Sequence, residues 1–183
     1  MSSENKTEEV LFAGFGGQGV LSMGKILAFS GMMEGKEVSW MPSYGPEMRG
    51  GTANCVVIVS SEKIISPIIS TYDTVVALNQ PSVDKFEGRV KPGGVLIYET
   101  STVNSPPTRT DITVIPVNAN EEALKMGFQK GLNMIVLGTF LAARKTVSPD
   151  GVEKGLRQVL PERSHNSIPQ NMEAFRKGAT YVK

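Results

Sequence analysis

The amino-acid sequence predicts an α/β fold in which a mostly parallel sheet is covered by helices, giving a three-layer domain. Apolar, β-branched segments alternate with segments of helical periodicity through the first two thirds of the chain. After Asn118 four helical segments follow one another, so we expect a helical C-terminal part. The 183 residues suffice for one well-packed domain. We place it at residues 9–183, after a flexible N-terminus of residues 1–8.

Seven segments have the composition of β-strands. In chain order they are EEVLFAG, KEVSWM, ANCVVIVS, EKIISPII, DTVVALN, GVLIYE and DITVIPV. Because ANCVVIVS and EKIISPII are too close for a crossover helix, we expect them to form an antiparallel hairpin. KEVSWM is expected to end at Pro42, since proline cannot donate to a central ladder.

The helical segments are recognised by apolar residues at helical spacing and by capping residues. The first helix is predicted from Gln18 to about Gly35, and SVDKFEGRV gives a short second one. Ser148 with Pro149, and later Pro169, are typical helix starts. The remaining segments are NANEEALKMG, LNMIVLGTFLAARK, SPDGVEKGLRQVL and PQNMEAFRKGA. The polar stretch TSTVNSPPTRTD is expected to be a surface loop.

The composition excludes several classes of protein. A formal net charge of +1 provides no field that would favour nucleic acid or an anionic membrane. One cysteine, Cys55, and one histidine, His165, are too few for an iron–sulfur cluster or a structural zinc site. We expect Cys55 to be buried and His165 to lie on the surface. With no membrane-length apolar run and a polar, acidic start, the protein is expected to be cytoplasmic.

The stretch FAGFGGQG contains a glycine turn between the first strand and the first helix. Gly14, Gly16 and Gly19 match G-x-G-x-x-G, a pattern that leaves helix N–H groups open to an anion. A dinucleotide site also needs an acidic residue at the end of the second strand, where the sequence reads SWMPS. Tight strand–helix packing therefore explains the glycines better than NAD binding. Gln18, an amide at the mouth of the helix, keeps an anion or a partner's backbone open as ligands.

A second stretch, SYGPEMRGG, follows the second strand at the sheet edge where ligands of α/β proteins bind. It combines turn-forming residues with Tyr44, Glu47 and Arg49. By itself it could be an ordinary surface loop with a solvated Glu47–Arg49 ion pair. Asn79, at the end of DTVVALN, has two interpretations: a functional amide at the same edge or the N-cap of the next helix.

Four stretches together resemble one known family. GFGGQGV, SYGPEMRGGTANCVV, LNQPSVDKF and KPGGVLIY are similar, in this order and at these distances, to the gamma subunit of 2-oxoacid:ferredoxin oxidoreductases. The resemblance covers most of the chain, and the C-terminal helices carry little of it. It is strongest to the 2-oxoglutarate type, although pyruvate and ketoisovalerate types share these stretches.

The resemblance implies a Rossmann-like subunit of an enzyme that converts a 2-oxo acid and coenzyme A into acyl-CoA, CO2 and reduced ferredoxin. Thiamine diphosphate with Mg2+ and [4Fe–4S] clusters are implied for the partner subunits, alpha, beta and delta, and not for this chain. We therefore assign this chain a structural and substrate-side role, with no catalytic and no metal-binding residue. Isolated, it is expected to be inactive and to self-associate or to need its partners.

The candidate site consists of the glycine turn and the residues after the second and later strands. The turn residues, assigned to an anion or to the coenzyme A side, are Gly16, Gly17, Gln18 and Gly19. The residues assigned to an interface or to the active-site edge are Ser43, Tyr44, Glu47, Arg49, Gly50 and Asn79. We expect turn and loop to meet because they follow strands taken to be parallel neighbours. The alternatives are a stand-alone Rossmann-type nucleotide-binding protein or NAD(P)-dependent enzyme, and a pure scaffold.

Overall fold

The computed structural model describes residues 7–44 and 52–182, and in it six strands form one sheet. The strands are β1 (Thr7–Phe15), β2 (Glu37–Tyr44), β3 (Thr52–Ser60), β4 (Tyr72–Ala77), β5 (Val90–Glu99) and β6 (Thr113–Val117). The helices are α1 (Val20–Met33), α2 (Gln80–Phe86), α3 (Ala119–Lys125), α4 (Leu132–Arg144), α5 (Pro149–Val159) and α6 (Ile168–Ala179). The predicted α/β class is confirmed.

The spatial order of the strands is β2-β3-β1-β4-β5-β6. β1, β4, β5 and β6 are parallel, whereas β3 is antiparallel to both of its neighbours, β1 and β2. The expectation that the first two strands are neighbours is therefore wrong, because β3 lies between them. They still run in the same direction, so both end at the carboxyl edge, the edge at which β1, β4, β5 and β6 end. The opposite edge is called the amino edge below.

The antiparallel hairpin is present, but between other segments than the sequence predicted. It joins β2 to β3, whereas EKIISPII forms no strand. Pro67 interrupts that segment and has no N–H to donate to a ladder. Since β3 already ends at the amino edge, where β4 begins, residues 61–71 connect the two strands without adding a strand of their own. The strand boundary predicted at Pro42 is also wrong: β2 continues to Tyr44, as proline permits on an edge strand.

Two apolar cores lie on the two faces of the sheet. The larger one packs the sheet against α1, α3, α4, α5 and α6, with the rings of Phe12 and Phe140 edge to face at 5.9 Å. The smaller one packs the other face against α2 and includes Val103. Val103 belongs to the segment predicted as a loop, which has no helix or strand and connects β5 to β6 across this face.

Local sequence signals account for several helix ends and crossings. The Ser148 hydroxyl accepts a hydrogen bond from the N–H of Gly151 at 3.1 Å, so the predicted cap of α5 is confirmed. Helices α4 and α6 cross at Gly138 and Gly178, where an added Cβ would lie within 2 Å of the other helix's carbonyl oxygens. Only glycine permits this backbone contact, which brings the Thr139 hydroxyl to 2.9 Å from the carbonyl of Gly178. None of the described helices has the length and apolarity needed to cross a membrane.

Charged side chains at the amino edge are paired with one another. The buried carboxylate of Glu8 accepts two hydrogen bonds from Arg144, at 2.9 and 2.7 Å, and one from Thr74 at 2.6 Å. Burial nevertheless raises the pKa of Glu8 above its ordinary value, because the hydrogen bonds and charge of Arg144 offset only part of the desolvation. Nearby, the Lys91 ammonium contacts two carboxylates, those of Glu9 at 2.6 Å and Asp73 at 2.9 Å.

Candidate functional site

The glycine turn lies at the carboxyl edge, between the end of β1 and the start of α1. Gly17 and Gly19 have φ angles of 94° and 77°, in the left-handed region that favours glycine. Gly19 is the N-cap of α1, and no side chain caps this helix. Within the described part of the chain, the N–H groups of Gly17 and Gly19 donate to no acceptor. The turn therefore offers open N–H groups at the positive end of a 14-residue helix.

The side chain of Gln18 links this turn to the neighbouring strand. Its amide oxygen accepts from the N–H of Phe15 at 2.6 Å, and its amide nitrogen donates to the carbonyl of Leu78 at 2.9 Å. Gly14 leaves room for it, because a Cβ there would lie 2.7 Å from the Gln18 oxygen and 3.0 Å from the Cβ of Leu78. Gln18 thus fixes the turn against the end of β4, a structural role that the sequence did not reveal.

Asn79 follows β4 at the same edge and is 1% exposed. Its side-chain oxygen accepts from the N–H of Ser82 at 2.9 Å and so caps α2, which confirms the capping interpretation. Its side-chain nitrogen, however, is buried without any hydrogen-bond partner. A buried donor that stays unpaired costs roughly 1–3 kcal/mol.

Two further unpaired polar atoms lie beside the turn and at the start of α2. Asn133, in the first turn of α4, packs closely against Gly19. A Cβ added to Gly19 would lie 2.9 Å from the Cβ of Asn133. The side-chain oxygen of Asn133 and the hydroxyl of Ser82 are both buried without a partner. The sequence analysis missed both residues. The only signal for Asn133 is an amide near the start of an otherwise apolar helix, LNMIVLG.

A buried carboxylate holds the chain after β5 at this edge. Glu99 is fully buried and accepts from the N–H and hydroxyl of Ser101, at 2.8 and 2.6 Å, and from the N–H of Asn120 at 3.2 Å. The Thr102 hydroxyl donates at 2.8 Å to the carbonyl of Leu78, the same carbonyl that Gln18 contacts. This network, also missed in the sequence, joins the ends of β1, β4 and β5 into one fixed edge.

The loop after β2 lies outside the described residues, and with it Glu47, Arg49 and Gly50. Its two ends are described: Tyr44 is paired with Ala53, and Thr52, where the chain returns, is paired with Phe15. Ser43, exposed, is paired with Asn54. Both ends of the loop are thus held at the carboxyl edge, with Thr52 directly beside the last residue before the glycine turn.

The remaining single-residue candidates lie apart from this edge or are already engaged. Cys55 is fully buried in β3, as expected, and burial raises the pKa of its thiol to about 12. The ring of His165 contacts the carbonyls of Arg157 and Leu160, at 3.1 and 2.9 Å. Across residues 7–44 and 52–182, no group of three or more His, Cys, Asp or Glu side chains is arranged to hold a metal ion.

The strand order also argues against the dinucleotide alternative. A ribose-binding carboxylate has to stand at the end of a strand next to the turn. Here β3 separates β2 from β1, and the only acidic residue of β2, Glu37, lies at its start, on the amino edge. In addition, the N–H of Phe15 donates to the side chain of Gln18, so it is not free to bind a phosphate.

Comparisons with known proteins agree with the resemblance found in the sequence. The model of the family "Pyruvate ferredoxin/flavodoxin oxidoreductase" matches residues 9–181. The ketoisovalerate oxidoreductase subunit VorA of Methanothermobacter marburgensis is 45% identical over 76% of this chain, which spans only 29% of that protein. The 2-oxoglutarate synthase subunit KorC of Methanocaldococcus jannaschii is 30% identical over 96% of this chain and 94% of its own length.

Two solved structures share the fold over almost the whole chain. The gamma subunit of a keto/oxoacid ferredoxin oxidoreductase from Geobacter sulfurreducens has a TM-score of 0.79 at 29% identity, covering 96% of this chain and 98% of its own. The 2-oxoglutarate:ferredoxin oxidoreductase of Magnetococcus marinus, solved with 2-oxoglutarate, coenzyme A and succinyl-CoA, has a TM-score of 0.87 at 25% identity. It covers 98% of this chain, which spans 31% of that longer chain. This chain belongs to the pyruvate ferredoxin/flavodoxin oxidoreductase family.

Proposed function

We propose that this chain is the gamma subunit of a multi-subunit 2-oxoacid:ferredoxin oxidoreductase. The complex would oxidatively decarboxylate a 2-oxo acid with coenzyme A and pass the electrons to ferredoxin. Family membership, and the near-complete overlap with a separate gamma subunit and with KorC, support this proposal. The chain corresponds to less than a third of the longer relatives, so the rest of the complex would come from other subunits.

The proposal divides the chemistry between subunits. Oxidative decarboxylation requires a group that stabilises a carbanion and carriers that take one electron at a time. We assign thiamine diphosphate with Mg2+ and the [4Fe–4S] clusters to the alpha, beta and delta subunits. The contribution of this chain would be its rigid carboxyl edge, which would position the groups that contact a ligand or a partner.

The carboxyl edge is the observation that carries this proposal. It presents the open N–H groups of Gly17 and Gly19 and the buried, unpaired amide nitrogen of Asn79. N–H groups at a helix start bind anions, and coenzyme A carries phosphates. We propose that this edge, together with Tyr44 at the end of β2 and Arg49 in the loop that follows, borders the active site or the coenzyme A channel. Its network through Gln18 and the carbonyl of Leu78 would keep these groups in place.

For the substrate we propose 2-oxoglutarate, supported by KorC and by the Magnetococcus enzyme. The 45% identity to VorA makes 2-oxoisovalerate the second candidate. Substrate choice is expected to depend mainly on the partner subunits. Initial rates of the purified complex with 2-oxoglutarate, 2-oxoisovalerate and pyruvate distinguish these acids directly.

Reconstitution tests the proposed function. The chain is purified alone and together with the products of its neighbouring genes, and 2-oxo acid-dependent reduction of ferredoxin is measured. We expect the isolated chain to be colourless and inactive, and the complex to lose most of its activity when this chain is left out. Turnover by the isolated chain, or full activity of partners that lack it, would overturn the proposal.

A further inference from the structure

The most exposed large apolar side chains of the described residues lie far from the candidate site. Ile65 is 97% exposed and Ile68 is 80% exposed. Both belong to residues 64–69, IISPII, which we call the isoleucine loop. The loop lies between β3 and β4 at the amino edge, opposite the glycine turn. Two isoleucines three positions apart that are both largely solvated are unusual, because isoleucine is among the residues most often buried.

The isoleucine loop is held in place by the residues around it. Ile69 packs against the smaller core. Within the loop, the Ser66 hydroxyl accepts a hydrogen bond from the N–H of Ile68 at 3.2 Å. Just before it, the Ser60 hydroxyl accepts from the N–H of Glu62 at 3.0 Å and contacts the hydroxyl of Thr7 at 2.7 Å. The two exposed isoleucines therefore project from an anchored loop, so little conformational freedom would be lost when another protein covers them.

We propose that the isoleucine loop inserts into an apolar groove of a partner subunit of the oxidoreductase and so holds this chain in the complex. This inference rests on the proposed function. The relatives point to the occupant: the part that matches this chain makes up 29% of VorA and 31% of the chain of the Magnetococcus enzyme, so in both it is joined to further parts of one longer chain. A separate chain of this size has to obtain the corresponding attachment through non-covalent contacts, and exposed apolar side chains supply them.

Other occupants fit the chemistry less well. The segment before β1, MSSENK, contains a single apolar residue and cannot bury two isoleucines. The loop has no aromatic residue, which membrane-bound surfaces use at the lipid interface, and the chain's net charge is only +1.

The test compares a double variant with the wild-type chain in the complex. Ile65→Lys with Ile68→Lys removes both apolar side chains where both are solvated, so the melting temperature of the isolated chain should stay unchanged. Two interface residues of this kind predict a loss of affinity for the partner subunits of about 30-fold or more. Affinity is measured by titrating the partner subunits with labelled chain. The matched control is Leu124→Lys, which changes a 61% exposed side chain on α3 and should leave the affinity as it is.

The outcomes separate this inference from the proposed function. If the double variant binds its partners as tightly as wild type and the complex is active, the proposed function holds and the docking role of the loop is wrong. The docking role is also wrong if the wild-type chain forms a homodimer that the double variant abolishes, or if it binds phosphatidylcholine–phosphatidylserine vesicles through these isoleucines. An affinity loss confined to the double variant, with neither of these, supports it.

Discussion

The charged side chains at one edge of the sheet are paired, whereas two buried amide side chains at the other edge each have an unpaired atom. At the amino edge, Glu8 is buried but satisfied by Arg144 and Thr74, and the Lys91 ammonium meets two carboxylates. At the carboxyl edge, the nitrogen of Asn79 and the oxygen of Asn133 are buried without partners. Buried polar groups without partners lower stability. We infer from this comparison that the amino edge maintains the fold, and we propose that the carboxyl edge serves the function.

The most exposed apolar side chains of the described residues lie at the amino edge. The isoleucine loop lies at the amino edge, whereas Phe15, next to the glycine turn at the carboxyl edge, is 37% exposed. The composition of the loop after β2 also predicts an apolar interface there, and that loop lies outside the described residues. The proposed attachment surface and the carboxyl edge lie at opposite ends of the strands, which allows either one to be altered without the other.

The largest effect is predicted at the carboxyl edge, for Arg49→Ala. Arg49 lies outside the described residues, in the loop whose ends are held beside the glycine turn. Truncating one partner of a buried charge pair costs roughly 2–5 kcal/mol, so we expect weaker assembly or a higher apparent KM for coenzyme A. The isolated chain should unfold as wild type does. Unchanged assembly and an unchanged KM would mean that the loop is only a surface turn.

The glycine turn allows a paired test within the same edge. Gly19→Ala should destabilise the chain by about 2–4 kcal/mol, because alanine disfavours positive φ and its Cβ meets Asn133. Gly17→Ala introduces only the strain of the positive φ, since nothing lies within 4 Å of an added Cβ, and should lower the unfolding free energy by about 1–2 kcal/mol. Urea unfolding of both variants measures the difference. Equal losses would show that Asn133 does not pack against the turn.

The smallest effect on function is predicted at the amino edge, for Glu8→Gln. Glutamine keeps an oxygen for Thr74 but leaves Arg144 without a counter-charge, so we expect a loss of about 1–3 kcal/mol in unfolding free energy. Arg144 is partly exposed, which keeps this loss moderate. Thermal unfolding checks it, and the activity of the complex at 25 °C should be that of wild type. A loss of activity without a loss of stability would contradict the division between the two edges.

The sequence predicted those features that depend on local patterns. Helix positions, the cap of α5 by Ser148 and the burial of Cys55 followed from periodicity and composition. The strand neighbours could not be predicted in the same way, because a β-rich segment such as EKIISPII does not reveal whether a sheet edge is available to it. Only the tertiary structure showed that β3 separates β1 from β2.

The candidate site was predicted in outline and not in its contacts. The glycine turn and Asn79 could be identified because they follow recognisable strands. The roles of Gln18, Glu99 and Asn133 depend on contacts between residues 21 to 114 positions apart, such as Gln18 with Leu78 and Gly19 with Asn133. Spacing along the chain carries no signal for contacts of this kind, and none predicted that the carbonyl of Leu78 joins three strand ends.

The most direct test of the functional edge is the kinetics of a reconstituted complex with Asn79→Ser, beside Glu8→Gln as the amino-edge control. Serine still caps α2 through its hydroxyl, so the isolated chain should remain folded, but the unpaired nitrogen is gone. We predict that kcat/KM for coenzyme A falls about tenfold or more in Asn79→Ser and stays at the wild-type value in Glu8→Gln. Wild-type kcat/KM and assembly in Asn79→Ser, or an equal fall in both variants, would contradict the assignment of function to the carboxyl edge.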